Sequence, residues 1–162
     1  MSKRFVKSAD TSTAVGASQR DLERILRRYG AIDFQMGSNW EKRIAKVAFR
    51  VPDEPTSKVM VPVRLEVSIE AVAVALGYTT GRYGRSATPT QHGWEQAERV
   101  AWRHLVLWVD AACSAASAGL QKMSEAFLAH TLVRGDDGIV VRVIDQLNQR
   151  GEWRALLPAG QP

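Results

Sequence analysis

The chain has little of what would tie it to a redox, secretory or membrane setting. Cys113 is the single cysteine among 162 residues, and one thiol cannot form an internal disulfide or a multi-cysteine zinc site. The longest near-continuous apolar run, residues 100–109, is about half the length that a membrane span needs. The N-terminus has basic residues but no apolar segment behind them, which disfavours secretion. We therefore expect a cytoplasmic protein that makes no contact with membranes.

Recognisable catalytic motifs are also missing. His92, His104 and His130 lie too far apart in the sequence for a local motif. No nucleophile with its base, no zinc-ligand spacing and no Walker motif is found. We predict no catalytic residue, no metal and no cofactor, and hence a protein that acts by binding.

Positive charge is abundant and unevenly placed. The net charge is +5, and residues 1–30 hold seven Lys or Arg against three acidic residues, so this segment carries +4 of the total. A basic balance favours contact with phosphate polyanions or with acidic protein surfaces.

Residues 1–17 are rich in Ser, Thr, Ala and Gly and predict a flexible arm. Ser18 and Asp21 then resemble a capping box that opens a helix. In this helix Leu22, Ile25, Leu26 and Tyr29 form one apolar stripe, and Gly30 suits its end. The opposite side of the helix carries four arginines: Arg20, Arg24, Arg27 and Arg28.

Strands with alternating apolar residues follow the helix. Ile32, Phe34 and Met36 predict the first strand, and residues 37–39 predict a turn after it. The next two strands place valines on one face, while Pro62 indicates an edge strand or a bulge. Their other face is predominantly basic, with Lys42, Lys46, Arg50, Lys58 and Arg64.

The rest of the chain is predicted to be mainly helical. Residues 69–76 suit a short helix or a continued strand, and residues 77–93 predict a long, flexible, basic loop. A long helix over residues 94–118 is apolar nearly all round in its middle, which predicts a central helix or one partly buried by a second subunit. A shorter helix near Met123 and a helix or strand–helix over residues 139–150 follow. The fold class expected is α+β: an N-terminal helix, a three- to four-stranded antiparallel sheet, then a long helix and shorter C-terminal helices packed on one sheet face. Residues 18–158 form its single domain.

Several segments together resemble a family of small uncharacterised proteins from phages and bacterial mobile elements. The pattern comprises Glu98-Arg-Val-Ala-Trp-Arg-His-Leu-Val-Leu, Ala118-Gly119, Glu125-Ala-Phe-Leu-Ala-His130, Asp137-Gly138, and Gly151 followed by Ala155-Leu-Leu-Pro158, with Arg28-Tyr-Gly-Ala31 and Phe34 before them. The resemblance covers roughly residues 13–158. Where the family has a lysine-rich stretch, this chain has Val109-Asp-Ala-Ala-Cys113. The resemblance implies a phage or mobile-element setting in a bacterial host cell and no particular chemistry.

Two functions suit these features. The first is binding of nucleic acid, expected to be single-stranded and bound with low sequence specificity, because arginines hold phosphates and aromatic rings stack on bases. The residues predicted to bind it are Arg20, Arg24, Arg27, Arg28, Lys42, Lys46, Arg50, Arg82, Tyr83 and Arg85, with Tyr83 or Trp40 for stacking. The second is a non-catalytic interaction or assembly module. It would form a homo-oligomer through Trp102 and Val106 on the long helix, or inhibit an acidic host protein.

Overall fold

We analysed a computed structural model of the chain, which describes residues 6–79, 87–134 and 138–150. The described part of the chain is mixed α+β, as predicted. Its elements in order are α1 (Val15–Arg28), β1 (Ile32–Asn39), β2 (Ile44–Pro52), β3 (Met60–Ser68), α2 (Ile69–Ala75), α3 (Gln91–Ser117), α4 (Met123–Ala126), a 3-10 turn (Leu128–His130), β4 (Leu132–Arg134), β5 (Val140–Arg142) and α5 (Val143–Arg150).

Helix α1 begins three residues earlier than the sequence predicts. Its N-cap is Ala14, which offers no side-chain cap, and Ser18 is fully buried inside the helix. The capping-box interpretation of Ser18 is therefore wrong: Val15 packs against the core and extends the helix backwards. The predicted end is confirmed, because Gly30 has φ +78° and the amides of Gly30 and Ala31 close the last turn.

The main sheet has three antiparallel strands in the order β1-β2-β3. One face carries the buried side chains of Val47, Phe49, Val63 and Leu65, and α1 and α3 cover it. The opposite face, called the outward face below, carries the polar residues of the alternating pattern. Strand β3 is an edge of this sheet, as Pro62 indicates, and its register against β2 is continuous.

Strand β1 departs from the predicted alternation in two ways. A bulge lies between Ile32 and Gln35, with Asp33 at φ 54°, and it turns Ile32 outward while Met36 faces the core. Gly37 does not begin a turn as predicted. It lies inside the strand opposite Lys46, and the turn follows at residues 40–43.

Residues 69–76, which suited either a helix or a strand, form α2, because the Ser68 side chain accepts a hydrogen bond from the Ala71 amide and caps it. Helix α3 runs through the centre of the fold, as its apolar middle predicts. Trp102 is fully buried and Val106 is 4% exposed within the single chain. Because both side chains are covered within the single chain, their burial does not support the predicted subunit interface, which stays a prediction.

Residues 6–14 lie along the exposed side of α3. The side-chain amide of Gln96 donates to the carbonyl oxygens of Ala9 (2.9 Å) and Thr11 (3.1 Å). Nε2 of His104 lies 2.7 Å from the carbonyl oxygen of Lys7. This part of the predicted arm is thus held against the domain. Residues 1–5 lie outside the described residues.

The C-terminal elements occupy the β3 side of the sheet. Helix α4 packs on the buried face, where the Phe127 ring meets Phe49 edge-on at 5.7 Å between centroids. Thr131 bridges to Val63 on β3, and β4 pairs with β5. Arg142 then reaches Glu66 on the outward face (3.4 Å) and Asp145 in α5 (2.8 Å). Residues 139–150 therefore form a strand and a helix, one of the two arrangements predicted.

Candidate nucleic-acid interface

The outward face of the sheet is basic only in part. Lys46 and Arg50 are exposed on β2, as predicted, but Arg50 forms an ion pair with Asp33 beside the bulge. On β3, Arg64 lies 3.4 Å from Glu66, which also meets Arg142. Lys46 is therefore the β2 cation without an ion pair among the described residues, and its ladder partner on β3 is Glu66.

The four arginines of α1 are exposed, as predicted, but half of them have partners. Arg24 pairs with Asp21 (2.9 Å) and Arg27 with Glu23 (2.8 Å), each within one turn of the helix. The Arg27 guanidinium also lies 4.9 Å from the centre of the Phe34 ring. Arg20 and Arg28 form no ion pair with any residue that the structure describes.

A cluster of two tryptophans and an arginine lies at the end of the sheet where β1 turns into β2. The Arg43 guanidinium carbon is 4.4 Å from the centre of the Trp94 ring and 5.4 Å from that of Trp40. We call Trp40, Arg43 and Trp94 the tryptophan–arginine cluster. Trp40 is 46% exposed, which is unusual for so large an apolar ring.

Backbone contacts hold this cluster in place. The Asn39 side chain accepts a hydrogen bond from the Lys42 amide (2.8 Å) and closes the turn. The Arg43 carbonyl oxygen accepts one from the Ile69 amide (2.7 Å), which ties the turn to the start of α2. Trp94 follows the Thr90 cap of α3. The turn that carries Trp40 and Arg43 is therefore fixed to α2, and Trp94 comes from the first turns of α3.

Lys42 projects from the same turn and is exposed, with Glu41 as the acidic residue beside it. Thr79 and Ala87, on either side of residues 80–86, line a cavity of ≈ 450 Å³ together with Trp94. The predicted site residues Arg82, Tyr83 and Arg85 belong to that segment and lie outside the described residues.

The structure thus brings some predicted site residues together and separates others. Lys42 lies in the turn that carries Trp40 and Arg43, and Lys46 lies on β2 opposite Gly37. Helix α1 lies on the other face of the sheet and runs alongside α3, with Asp21 next to Arg103. Arg28 closes the far end of α1, where it lines a cavity with Pro52 and Ser117.

Sequence reasoning missed Arg43 and did not single out Trp94 as a site residue. The signal present was the spacing Trp40-Glu-Lys-Arg43, in which an aromatic ring and two cations share one turn. The sequence could not show that Trp94 packs against Arg43, because Trp94 lies 51 residues further along the chain.

Residues 6–79, 87–134 and 138–150 contain no group of three or more His, Cys, Asp or Glu side chains placed to hold a metal ion. Burial, with a smaller effect from Asp110, raises the pKa of the Cys113 thiol to about 12, which makes this thiol a poor nucleophile. None of the described helices is long and apolar enough to cross a membrane.

Comparisons of the chain with protein-family models, with curated proteins and with solved structures find no match.

Proposed function

We propose that this chain is an accessory protein of a phage or mobile element that binds single-stranded nucleic acid with low sequence specificity. The site is the tryptophan–arginine cluster with Lys42 and Lys46 on the adjoining outward face. The phage or mobile-element setting, inside a bacterial host cell, rests on the residue pattern of the chain.

The observation that carries the proposal is the exposed Trp40 ring beside the Arg43 guanidinium. A base stacked on an aromatic ring contributes roughly 1–3 kcal/mol, whatever its identity. An arginine held against an aromatic face keeps its outer N–H groups free for phosphate oxygens. Lys42 and Lys46 add two further cations that have no ion pair among the described residues.

Fluorescence anisotropy of a labelled single-stranded 15-mer, titrated at two or more salt concentrations, tests this function. Affinity should fall with salt, because each neutralised phosphate of a single strand contributes about −0.7 to the slope of log K against log salt. Trp40→Ala should weaken binding by roughly 1–3 kcal/mol at every salt concentration. No binding of the native protein at low salt contradicts the proposal.

Trp108→Ala is the matched control, because Trp108 is 38% exposed and lies on α3 away from the cluster. It removes the same ring and should leave the affinity unchanged. Equal losses in both variants would indicate a general effect of removing tryptophan and would count against a site at Trp40.

A specific observation also favours the second function, a non-catalytic interaction module. An open apolar groove of ≈ 800 Å³ lies between α2, α3 and the end of β3, lined by Val67, Val72, Leu107 and Trp108 among others. Such a groove suits self-association or a protein partner better than Trp102 and Val106 do. A mass above that of one chain in light scattering, with no oligonucleotide binding, would favour this function over the first.

A further inference from the structure

A hollow of ≈ 250 Å³ lies on the outward side of β1, directly before the tryptophan–arginine cluster. It is lined by residues 35–39 of β1 and by Lys46 of β2. Three of these residues are directly opposite outward residues of β2 and therefore share the outward face. The pairs are Gln35 with Ala48, Gly37 with Lys46, and Asn39 with Ile44. The hollow therefore has a glycine at its floor and polar side chains around it.

The hollow exists because Gly37 has no side chain. A Cβ placed on Gly37 would have no heavy atom within 4 Å, so neither packing nor close backbone approach within the chain requires glycine here. Its φ is not positive, unlike that of Gly30, so no turn conformation requires glycine either. Glycine inside a strand weakens it, and one recurring reason for it is the close approach of a ligand.

The side chains around the hollow can read a base. Gln35 and Asn39 are both exposed. The Asn39 oxygen accepts from the Lys42 amide, and its NH₂ group has no partner among the described residues. Gln35 forms no side-chain hydrogen bond within the described part of the chain. An amide group offers a donor and an acceptor side by side, the pattern that matches the N6 and N7 edge of adenine.

Lys46 supplies the charge that such a ligand needs. It lies opposite Gly37 on one side and opposite Glu66 on the other, and it forms no ion pair with any described residue, so its ammonium can contact a phosphate next to the bound base. The volume is below the roughly 300–1,000 Å³ of a drug-sized pocket, which suits one base and not a larger cofactor.

From this geometry we infer that the hollow over Gly37 holds one unstacked base of the bound strand and that Gln35 and Asn39 give the site a preference for adenine. This inference rests on the proposed function, since the neighbouring base would stack on Trp40. It deepens that function: the stacking and phosphate contacts tolerate any sequence, and the hollow adds selectivity at one position.

Gly37→Val is the decisive variant. A Cβ at this position meets no heavy atom within 4 Å, and a β-branched residue suits a strand, so the fold is expected to persist while the side chain occupies the floor of the hollow. The native protein should bind oligo(dA) roughly tenfold more tightly than oligo(dT), within the range of one bidentate amide–base pair. In Gly37→Val this ratio should fall to about one, and Gly37→Ala should give a smaller loss.

Gln35→Leu separates base reading from simple blocking of the hollow. It keeps a side chain of similar length but removes both hydrogen-bonding groups, so the preference for oligo(dA) should fall while the salt slope is unchanged. Lys46→Gln should do the reverse, lowering the salt slope by about 0.7 and keeping the preference. Pro62→Val, on the outward face of the other edge strand, is the control and should change neither quantity.

The outcomes distinguish this inference from the proposed function. Binding that is lost in Trp40→Ala but equal for oligo(dA) and oligo(dT) in the native protein would overturn the adenine site and leave the proposed function standing. A preference that survives Gly37→Val in a folded protein, checked by circular dichroism, would also overturn it. Failure of the native protein to bind either oligonucleotide would overturn both.

Discussion

His130 is packed between groups that oppose its protonation. Its ring meets the Trp108 ring edge-on at 4.8 Å between centroids, and its Nδ1 atom is buried without a hydrogen-bond partner. Burial and then the positive charge of Arg142 lower the pKa of His130 below its ordinary value of 6.5. Asp145 and Glu66 act in the opposite direction but do not reverse the shift.

This shift predicts a loss of stability in mild acid. Because the folded pKa of His130 lies below the unfolded one, the unfolded chain binds the proton more readily. The free energy of unfolding should therefore fall as the pH drops below about 6.5 and level off below the folded pKa of His130. Urea denaturation at a series of pH values between 7.5 and 5 measures this change.

His130→Gln is the variant that isolates the effect, because glutamine stays neutral over the whole range. Its stability should be flatter between pH 7.5 and 5 than that of the native protein. The pKa of Asp145 is lowered mainly by its hydrogen bonds from Arg142, so its contribution is lost only at more acidic pH, below its ordinary value of 3.8. An undiminished fall in His130→Gln would assign the mild-acid effect to another group.

The elements show which parts of the fold could be read from the sequence. Helix α1 and strands β2 and β3 follow their apolar periodicity, because one face of each packs on a single core. Strand β1 does not follow its apolar periodicity, because its bulge changes which residues face outward. A pattern of only three apolar residues does not indicate where a bulge lies. Trp102 and Val106 were placed at a subunit interface because periodicity cannot tell whether the same chain or a second one covers an apolar helix.

The candidate site was predictable only where it is local. Lys42, Lys46 and Trp40 lie within seven residues and were identified from sequence. Arg43 was not, and neither was the hollow at Gly37, because both depend on partners that the fold brings from other elements. The arginines of α1 looked equivalent to the lysines in sequence, yet the structure places them on the other face of the sheet.

This separation predicts unequal effects of two matched double variants. Lys42→Gln with Lys46→Gln removes two charges at the proposed site, and Arg24→Gln with Arg28→Gln removes two charges from α1. The first pair should lower oligonucleotide affinity and reduce the salt slope by about 1.4, since two phosphate contacts are lost. The second pair should leave the slope nearly unchanged, because α1 lies on the other face of the sheet and these two charges do not contact the bound strand in the proposed site. Anisotropy titrations over a common salt series measure both.

Arg24 offers an additional reason for this asymmetry. Its guanidinium is already paired with the Asp21 carboxylate at 2.9 Å, so it is less available for a phosphate contact than an unpaired lysine. If the α1 variant instead loses as much slope as the lysine variant, the strand must also contact α1, and the site would have to extend around the β1 edge.

At the scale of the whole molecule, Trp102 joins the layers of the fold. Its indole N–H donates to the Ser38 hydroxyl (3.1 Å), and that hydroxyl donates to the Glu98 carboxylate. Ser38 lies on β1, and the other two residues lie on α3. The long helix and the edge strand that carries the proposed site are therefore linked through two hydrogen bonds of the Ser38 hydroxyl inside an apolar core.

Trp102→Ala should therefore destabilise the monomer and not dissociate an oligomer. Removing a fully buried tryptophan costs about 3–5 kcal/mol, and the Ser38 hydroxyl also loses the indole N–H that donates to it. Urea denaturation gives the loss of stability, and light scattering of the folded fraction gives the mass. Trp102→Phe restores most of the apolar volume without the N–H, so it should recover much of the stability but not all of it. A Trp102→Ala protein with native stability but a lower mass than the native protein would show that Trp102 lies in a subunit interface. Only a residue outside the monomer core could be removed with so little loss of stability.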